Sequence, residues 1–360
     1  MFKQFKHFTL QMVAGANVVT IIVMLLIGYS DRLQPQTFPL LANIGLTFPL
    51  FLLFNLGFLV FWLLFKTRWA IIPILGFLVS YGPVRQYMPL NVSTDVPKGA
   101  IKVLSYNVWL FAGWDDTEGQ PNPILEYIVQ QNADIVCLQE ATADGIPQRQ
   151  VDSTLHRLYA YSDTLCQGAI ANSIAIYSKY HMIGRERIAY PSRGNLSAAF
   201  RLKINGDTVL VINNHFETTG LSSAEKTRFK NLIKGHFDTD TAKQTSKLLI
   251  TKLGEASVKR APQAEAVARY LRHHSGMSTI VCGDFNDGPI SYTHRTVAHG
   301  LTDCYVATGN GPGISYHTNG FFVRIDNILC SADWQPYGCK VDSKIKASDH
   351  YPIICWLKKR

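Results

Sequence analysis

Charge is scarce at the start of this sequence. Only 17% of its 360 residues are Asp, Glu, Lys or Arg, against 47% hydrophobic, an apolar balance for a soluble protein. The shortage is local: Lys6 to Asp31, Arg32 to Lys66 and Arg68 to Arg85 bracket stretches without one charged residue. Such runs are long enough to cross a hydrocarbon layer of roughly 30 Å as helices, which argues against a wholly water-exposed N-terminus. Cysteine is also absent there. All seven (Cys137, Cys166, Cys282, Cys304, Cys330, Cys339, Cys355) fall in the C-terminal part, and an odd number leaves at least one thiol without an intrachain partner. Cys137, Cys282 and Cys355 sit in strand-like runs and read as small buried apolar residues. A small-residue cleavage site is missing between the first apolar run and the next, so an anchor is expected rather than a cleaved signal peptide.

Three spans are expected, at about Phe8 to Tyr29, Leu40 to Phe65 and Trp69 to Tyr87, making residues 1–90 a membrane segment. Pro73, Gly76 and Pro83 interrupt the third, whereas Trp69, Tyr81 and Tyr87 suit the interfaces. Lys3, Lys6, Lys66 and Arg68 lie on one side of this arrangement and mark the cytoplasm; Arg32, Arg85 and Lys98 lie on the other. Three crossings therefore place the rest of the chain outside the cytoplasm, and a re-entrant third segment would reverse that. Residues 91–99, polar with Pro97 and Gly99 near their end, form a linker. Residues 100–360 have the composition of a water-soluble domain large enough for one sizeable core.

Within that domain, apolar runs repeatedly deliver a polar residue to their end. Ile101 to Trp109 alternates as a strand and carries Asn107; Ala133 to Glu140 runs into a carboxylate; Thr208 to His215 ends on an imidazole. Strand-like runs also cover Asn172 to Ser178 and Leu196 to Leu202, and Pro123 to Gln131 reads as an amphipathic helix. Thr279 to Asp287 holds Asp284 and Asn286 two residues apart, on one face of a strand end. A carboxylate and an amide so placed can hold an attacking water and a hard cation together, although a lone Asp-x-Asn is an ordinary turn. Val323 to Leu329 carries Asp326, and Ala347 to Pro352 carries Asp349 and His350, so a carboxylate is available to orient an imidazole. The strand rhythm breaks at 218–261. There Ser222 to Glu225 has the form of a helix capping box, a helical run follows from Thr241 to Val258, and nine Lys/Arg face four acids, a net of +5. This is read as a basic helical insertion, either a solvated face or an electrostatic guide toward anionic lipid or phosphate.

The series Ser-Tyr-Asn107, Leu-Gln-Glu140, Asn-His215, Gly-Asp284-Phe-Asn286, Arg-Ile-Asp326 and Ser-Asp349-His350 resembles the motifs of the endonuclease/exonuclease/phosphatase superfamily, the metal-dependent phosphoesterases related to pancreatic deoxyribonuclease. The match covers 100–360; the N-terminus and insertion look like those of membrane-anchored bacterial members. The resemblance implies a four-layered α/β sandwich, two packed mixed sheets flanked by helices, with the site at one edge. It implies Mg²⁺ (or Mn²⁺) held by Glu140 with Asn107 and Asp349, and an all-oxygen set without cysteine suits these hard ions. It makes Asp284 the group that orients or deprotonates water, Asn286 the phosphate holder, and His215 with His350, the latter oriented by Asp326, donors to the phosphoryl oxygens.

The scaffold alone does not name a substrate. The basic excess is confined to the insertion rather than forming a groove with stacking aromatics, and the anchor favours a lipid head group or other small phosphodiester. A nuclease acting on DNA or RNA is the alternative, and a non-catalytic tethered binding domain a second. The partners expected are the bilayer and a phosphate ester, with nucleic acid as the alternative; oligomeric state is not legible.

Overall fold

The computed structural model describes residues 2–113, 122–142, 146–168, 173–192, 194–235, 239–318 and 320–360. Its N-terminal helices are Phe2–Gly28 and Phe48–Phe65, and the stretches His7–Arg32 and Ile44–Phe65 are long and apolar enough to cross a membrane. The second helix begins later than the uncharged run suggests. Pro49 occupies its first turn, where a missing N–H costs nothing, and the residues before it form a loop with a tight turn at Ile44–Thr47. The third expected span is two pieces, Ile71–Val79 and Tyr81–Tyr87, bent by 69°. Pro83 has no N–H to donate to the Val79 carbonyl, and its ring crowds that oxygen, which breaks the helix there. The bent pair still returns to the level at which the first helix ends: Pro83 lies against Gly28, and the Tyr87 ring is 5.9 Å from that of Phe48.

Side-chain amides tie these helices together. Asn17 donates to Asn55 Oδ1 (3.1 Å), Trp62 Nε1 donates to Asn17 Oδ1 (3.2 Å), and Asn55 donates to the Pro73 carbonyl (3.0 Å), all buried. In a medium without water such groups need partners in neighbouring helices.

The remainder folds as two six-stranded sheets. In the first, β1 (Ile101–Asn107), β2 (Ile135–Gln139), β3 (Tyr161–Cys166) and β4 (Ser173–Ser178) join β11 (Trp334–Val341) and β12 (Ile353–Lys359) in the order β11-β12-β1-β2-β4-β3. The second contains β5 (Met182–Ile188), β6 (Leu196–Ile204), β7 (Asp207–His215), β8 (Ser278–Asp284), β9 (Thr302–Asp303) and β10 (Asp326–Cys330), in the order β5-β6-β7-β8-β10-β9. Among the described residues only β1/β2 and β7/β8 pair in parallel, each at the centre of its sheet. Val103, Ile135 and Ile176 of one sheet meet Phe200, Val211 and Ile280 of the other in a dry core. Helices Pro123–Gln131 and Ile146–Leu155 cover the outer face of the first sheet, through Ile124, Ile128 and Val151. Ala264 and Val267 cover the second. The result is the four-layered sandwich, helix, sheet, sheet, helix. Unforeseen strands β3, β5 and β11 lie at sheet edges, where one-sided pairing leaves little apolar pattern to read. Asn172, expected in a strand, lies outside the described residues.

Two expectations about boundaries change. The expected linker is tied down at its start: the Asn91 amide bonds the Gly309 carbonyl at 2.6 Å and the Val306 carbonyl at 3.1 Å. The insertion is also no separate appendage. The capping box forms, with Ser222 N donating to Glu225 Oε2 at 2.7 Å, and opens a helix, Ser223–Ile233, that buries no residue. The following run, however, is one helix, Thr239–His273, continuing through Pro262 well beyond Val258. Its second half is retained as helix because Ala264 and Val267 bury against the second sheet, outweighing the proline penalty.

The loop between the first two apolar helices docks on this domain. Asn43 Nδ2 donates to Ser257 Oγ at 2.9 Å, and Gly45 approaches so closely that a Cβ there would sit 2.2 Å from the Ile290 carbonyl oxygen. Met24, Ile27, Phe48 and Leu52 form one cluster with Ile290. On the other flank, buried Arg324 donates to the Gln86 and Tyr87 carbonyls, at 2.5 and 3.4 Å.

Candidate active site

Parallel pairing at the centre of both sheets puts four strand ends on one edge. Asn107 closes β1 beside Gln139 of β2, with Glu140 next; His215 closes β7 beside Asp284, which closes β8; Asp326, opening antiparallel β10, stands opposite Asp284. Gly283 is required here: its φ is +127°, and a Cβ would lie 2.0 Å from the Asn214 carbonyl oxygen. Below the edge, Gln139 Nε2 donates to Asn213 Oδ1 at 2.7 Å, while Asn213 donates to the Leu138 and Ala175 carbonyls. This buried amide bridge locks the two sheets in register under the site.

The last expected pair arrives from the loop before β12. Ser348 Oγ donates to the Asn107 carbonyl at 2.8 Å and accepts from the His350 N–H at 3.1 Å, fastening that loop to the end of β1. His350 Nδ1 lies 2.8 Å from Asp326 Oδ2, which leaves Nε2 facing Asp284 Oδ2 at 3.7 Å. His215 Nε2 is 3.7 Å from Glu140 Oε1 and 3.8 Å from Asp284 Oδ2, too long for hydrogen bonds. Both His215 ring nitrogens are buried without a partner, a costly state in a finished core and a suitable one for a group awaiting a ligand oxygen.

The electrostatics separate the groups by role. Burial pushes the Asp284 carboxyl up to about 6 against the pull of His350, an appropriate range for accepting a proton near neutrality. Burial would hold His350 neutral, but Asp326 and then Asp284 outweigh it and raise the imidazole well above its ordinary range. His215 moves the other way, lowered by burial despite Asp284. Burial likewise raises Glu140 despite His350, and Glu140 adopts a left-handed φ of +51°, rare for its residue type and common at functional sites.

Glu140, Asp284, Asn286, Asp349 and His350 line one cavity of about 800 Å³. Two amides do something different from what the resemblance implies. Asn107 turns nitrogen to the carboxylates, donating to Asp284 Oδ2 (3.1 Å) and Glu140 Oε1 (3.3 Å), because its oxygen accepts from the Trp109 N–H. It bridges the two sheets' acids here, where the resemblance makes it a ligand to the cation. Asn286 donates to the Phe216 carbonyl (2.9 Å) and Asp284 Oδ2 (3.2 Å), so it braces Asp284 and has no spare donor for phosphate.

The residues present fit a hard divalent cation. Glu140 and Asp349 bring carboxylates to the cavity, burial disfavours the ionised Glu140, and the nearest base beside it, His215, is pushed toward neutrality. A cation would stabilise that acid cluster. Asp284, Asp326 and His350 also bring ligand atoms within 4.8 Å of one another. Their short Asp326–His350 hydrogen bond and near-complete burial fit proton handling better than a metal cage.

Residues without a legible signal also shape the site. Tyr316 stands edge-on to His350, ring centroids 5.0 Å apart. Arg260, fully buried, bonds Asp287 Oδ2 (3.2 Å), Ser257 Oγ (2.9 Å) and the Glu217 carbonyl (3.1 Å), fixing the turn after Asn286. Only the position of Asp287 directly after the Asp284/Asn286 pair hinted at this network.

The sequence profile of the Endonuclease/Exonuclease/phosphatase family matches residues 104–350, and that of a domain of unknown function matches 10–87. No curated protein matches by sequence. An endonuclease/exonuclease/phosphatase from Beutenbergia cavernae superposes with a TM-score of 0.50 at 15% identity, over 72% of this chain and 72% of that one. The human nocturnin catalytic domain, solved with bound sulfate, does so with 0.50 at 15% identity, over 74% and 96%. These structures establish a common fold; the profile match, spanning every strand-end motif assembled above, establishes descent. The chain belongs to the endonuclease/exonuclease/phosphatase family and is a hydrolase of phosphate esters.

Proposed function

We propose that the protein is a membrane-anchored, Mg²⁺-dependent phosphoesterase, its catalytic domain outside the cytoplasm, acting on a lipid head group or other small phosphodiester. One observation carries this reading: the cavity that holds Glu140, Asp284, Asp349 and His350 is walled on another side by Leu40, Ile44 and Leu46, from the loop between two helices apolar enough to span a bilayer.

In this reading Glu140 and Asp349 hold the cation, with Asn107 keeping Glu140 in place. The ion would supply charge neutralisation at the phosphoryl oxygens. Asp284, held by Asn286 and Asn107, orients a water in line with the ester and accepts its proton as the water oxygen bonds phosphorus. The ester P–O bond breaks, and the leaving oxygen takes a proton from solvent, to which Asp284 returns its own. His350, kept protonated by Asp326, and His215, with its free ring nitrogens, donate to the phosphoryl oxygens as charge accumulates.

The test uses the full chain in detergent or nanodiscs, assayed with Mg²⁺ or EDTA against sphingomyelin, phosphoinositides, a chromogenic phosphodiester, DNA and RNA. Mg²⁺-dependent turnover of the lipid or small ester is expected. Turnover of nucleic acid alone would replace this substrate class with the nuclease reading.

A further inference from the structure

The cavity is much larger than a phosphate group requires, and most of it is not polar. From the acid cluster it extends between the looped segment before the second apolar helix, the Ser223–Ile233 helix and the long Thr239–His273 helix, past Leu40, Ile44, Phe229, Ile250, Leu253 and Phe322. Several of these side chains are left in the open at its mouth: Leu40 is 64% exposed, Phe322 61% and Ile250 50%. Large apolar groups so exposed mark a contact surface. The helix that carries Phe229 buries no residue, and Phe229 stacks on Phe321 at 4.4 Å.

Their position identifies the contact. Leu40 and Ile44 belong to the connection between the Phe2–Gly28 and Phe48–Phe65 helices, so the mouth they rim lies at the membrane surface if those helices span. The loop is held there by the Asn43–Ser257 bond and the close fit of Gly45 on Ile290, which makes the wall a built one. The same cavity is lined by Lys226, whose charge acts on the Glu140 carboxyl. A cation, an apolar groove and the acid cluster share a single space.

Resting on the phosphoesterase reading, we infer that the substrate is an amphiphile: its phosphate lies against Glu140, Asp284 and His350, and its hydrocarbon chain lies along the Ile44–Leu253–Phe322 wall. Reaction at phosphorus is unchanged, and the tail contributes binding.

The experiment is a chain-length series on the full-length protein in nanodiscs. Methyl, butyl and octyl p-nitrophenyl phosphates, each below its micellar concentration, are hydrolysed with Mg²⁺, alongside a branched isoprenoid ester of matched length. kcat/KM is expected to rise about tenfold or more from methyl to octyl, as burial of successive methylenes strengthens binding. A preference for straight or branched chain then separates an acyl from an isoprenoid source, and either outcome supports the tail site. Ile44→Asn with Leu253→Asn should bring the octyl value down toward the methyl value. A flat series in the unaltered protein overturns the tail site while leaving the phosphoesterase reading intact. Failure to hydrolyse any ester, methyl included, overturns both.

Discussion

Asn43, in the loop between two apolar helices, donates to Ser257 Oγ at 2.9 Å, and Ser257 in turn accepts from Arg260, which holds Asp287 beside the catalytic turn. The N-terminal segment is therefore joined by hydrogen bonds to the loop that follows Asp284 and Asn286. It also lines the active-site cavity, through Leu40, Ile44 and Leu46.

That connection predicts the effect of a single methyl group. Gly45→Ala would put Cβ at 2.2 Å from the Ile290 carbonyl oxygen, a backbone atom that cannot swing aside. The loop must lift, at a cost of about 1–3 kcal/mol. A lower thermal midpoint in detergent together with a raised KM is expected; an unchanged midpoint would show that the loop is not seated as described.

Glu140→Gln should abolish Mg²⁺-dependent hydrolysis without unfolding the protein, because a neutral amide does not replace the charge that holds the cation. Calorimetric titration with Mg²⁺ should lose its binding heat in parallel. Retained turnover with unchanged metal dependence would remove Glu140 from the site.

Asp284→Asn should inactivate the enzyme yet stabilise its metal-free form. The Asp284 carboxyl, raised by burial to about 6 from an ordinary 3.8, binds its proton more tightly when folded. Folding stability therefore falls as pH rises from about 4 to 6, and above that range the ionised, buried carboxylate carries its full cost. Asparagine has no such charge, so in EDTA at pH 7.5 the variant should be more stable by at least about 1 kcal/mol, and at pH 3.5 the advantage should vanish. Thermal midpoints at the two pH values check this; a variant less stable at both contradicts it.

The side of the membrane is open to a direct measurement. An alkaline phosphatase fusion after Lys98 should be active and a fluorescent-protein fusion dark, because the bent segment Thr67–Val79 plus Tyr81–Tyr87 is expected to count as a crossing. The reverse pattern would put the catalytic domain in the cytoplasm.

The charge of the insertion can be tested apart from its fold. Lys252, Lys259 and Arg260 are held by Glu225, Glu217 and Asp287. Lys230, Lys234 and Lys247 are exposed, and Lys226 lines the cavity. Replacing those four by Gln should raise KM for anionic substrate, most at low salt, with kcat nearly unchanged. No change in KM or its salt dependence would leave their charge without a functional role.

What was legible in the sequence follows from local rules. Absence of charge marks the apolar helices, alternation marks the central strands, and the polar residue closing each strand shows where backbone regularity gives way to side-chain chemistry. The capping box at Ser222 could be read from four residues, and so it formed. Tertiary structure decided whatever depends on partners distant along the chain. Asn107 and Asn286 carry the amides the motifs require, but whether an amide presents oxygen or nitrogen depends on neighbours such as the Trp109 N–H and the Phe216 carbonyl. Pro262 would end an isolated helix, but burial of Ala264 and Val267 against a sheet carries the helix through it. Residues 40–47 are as apolar as a membrane span, yet Pro49 sets the helix start and Ser257 with Ile290 receives the loop, which turns that stretch into a wall of the active-site cavity. Composition determines that such a segment avoids water; only the assembled fold determines which apolar or polar surface it meets instead.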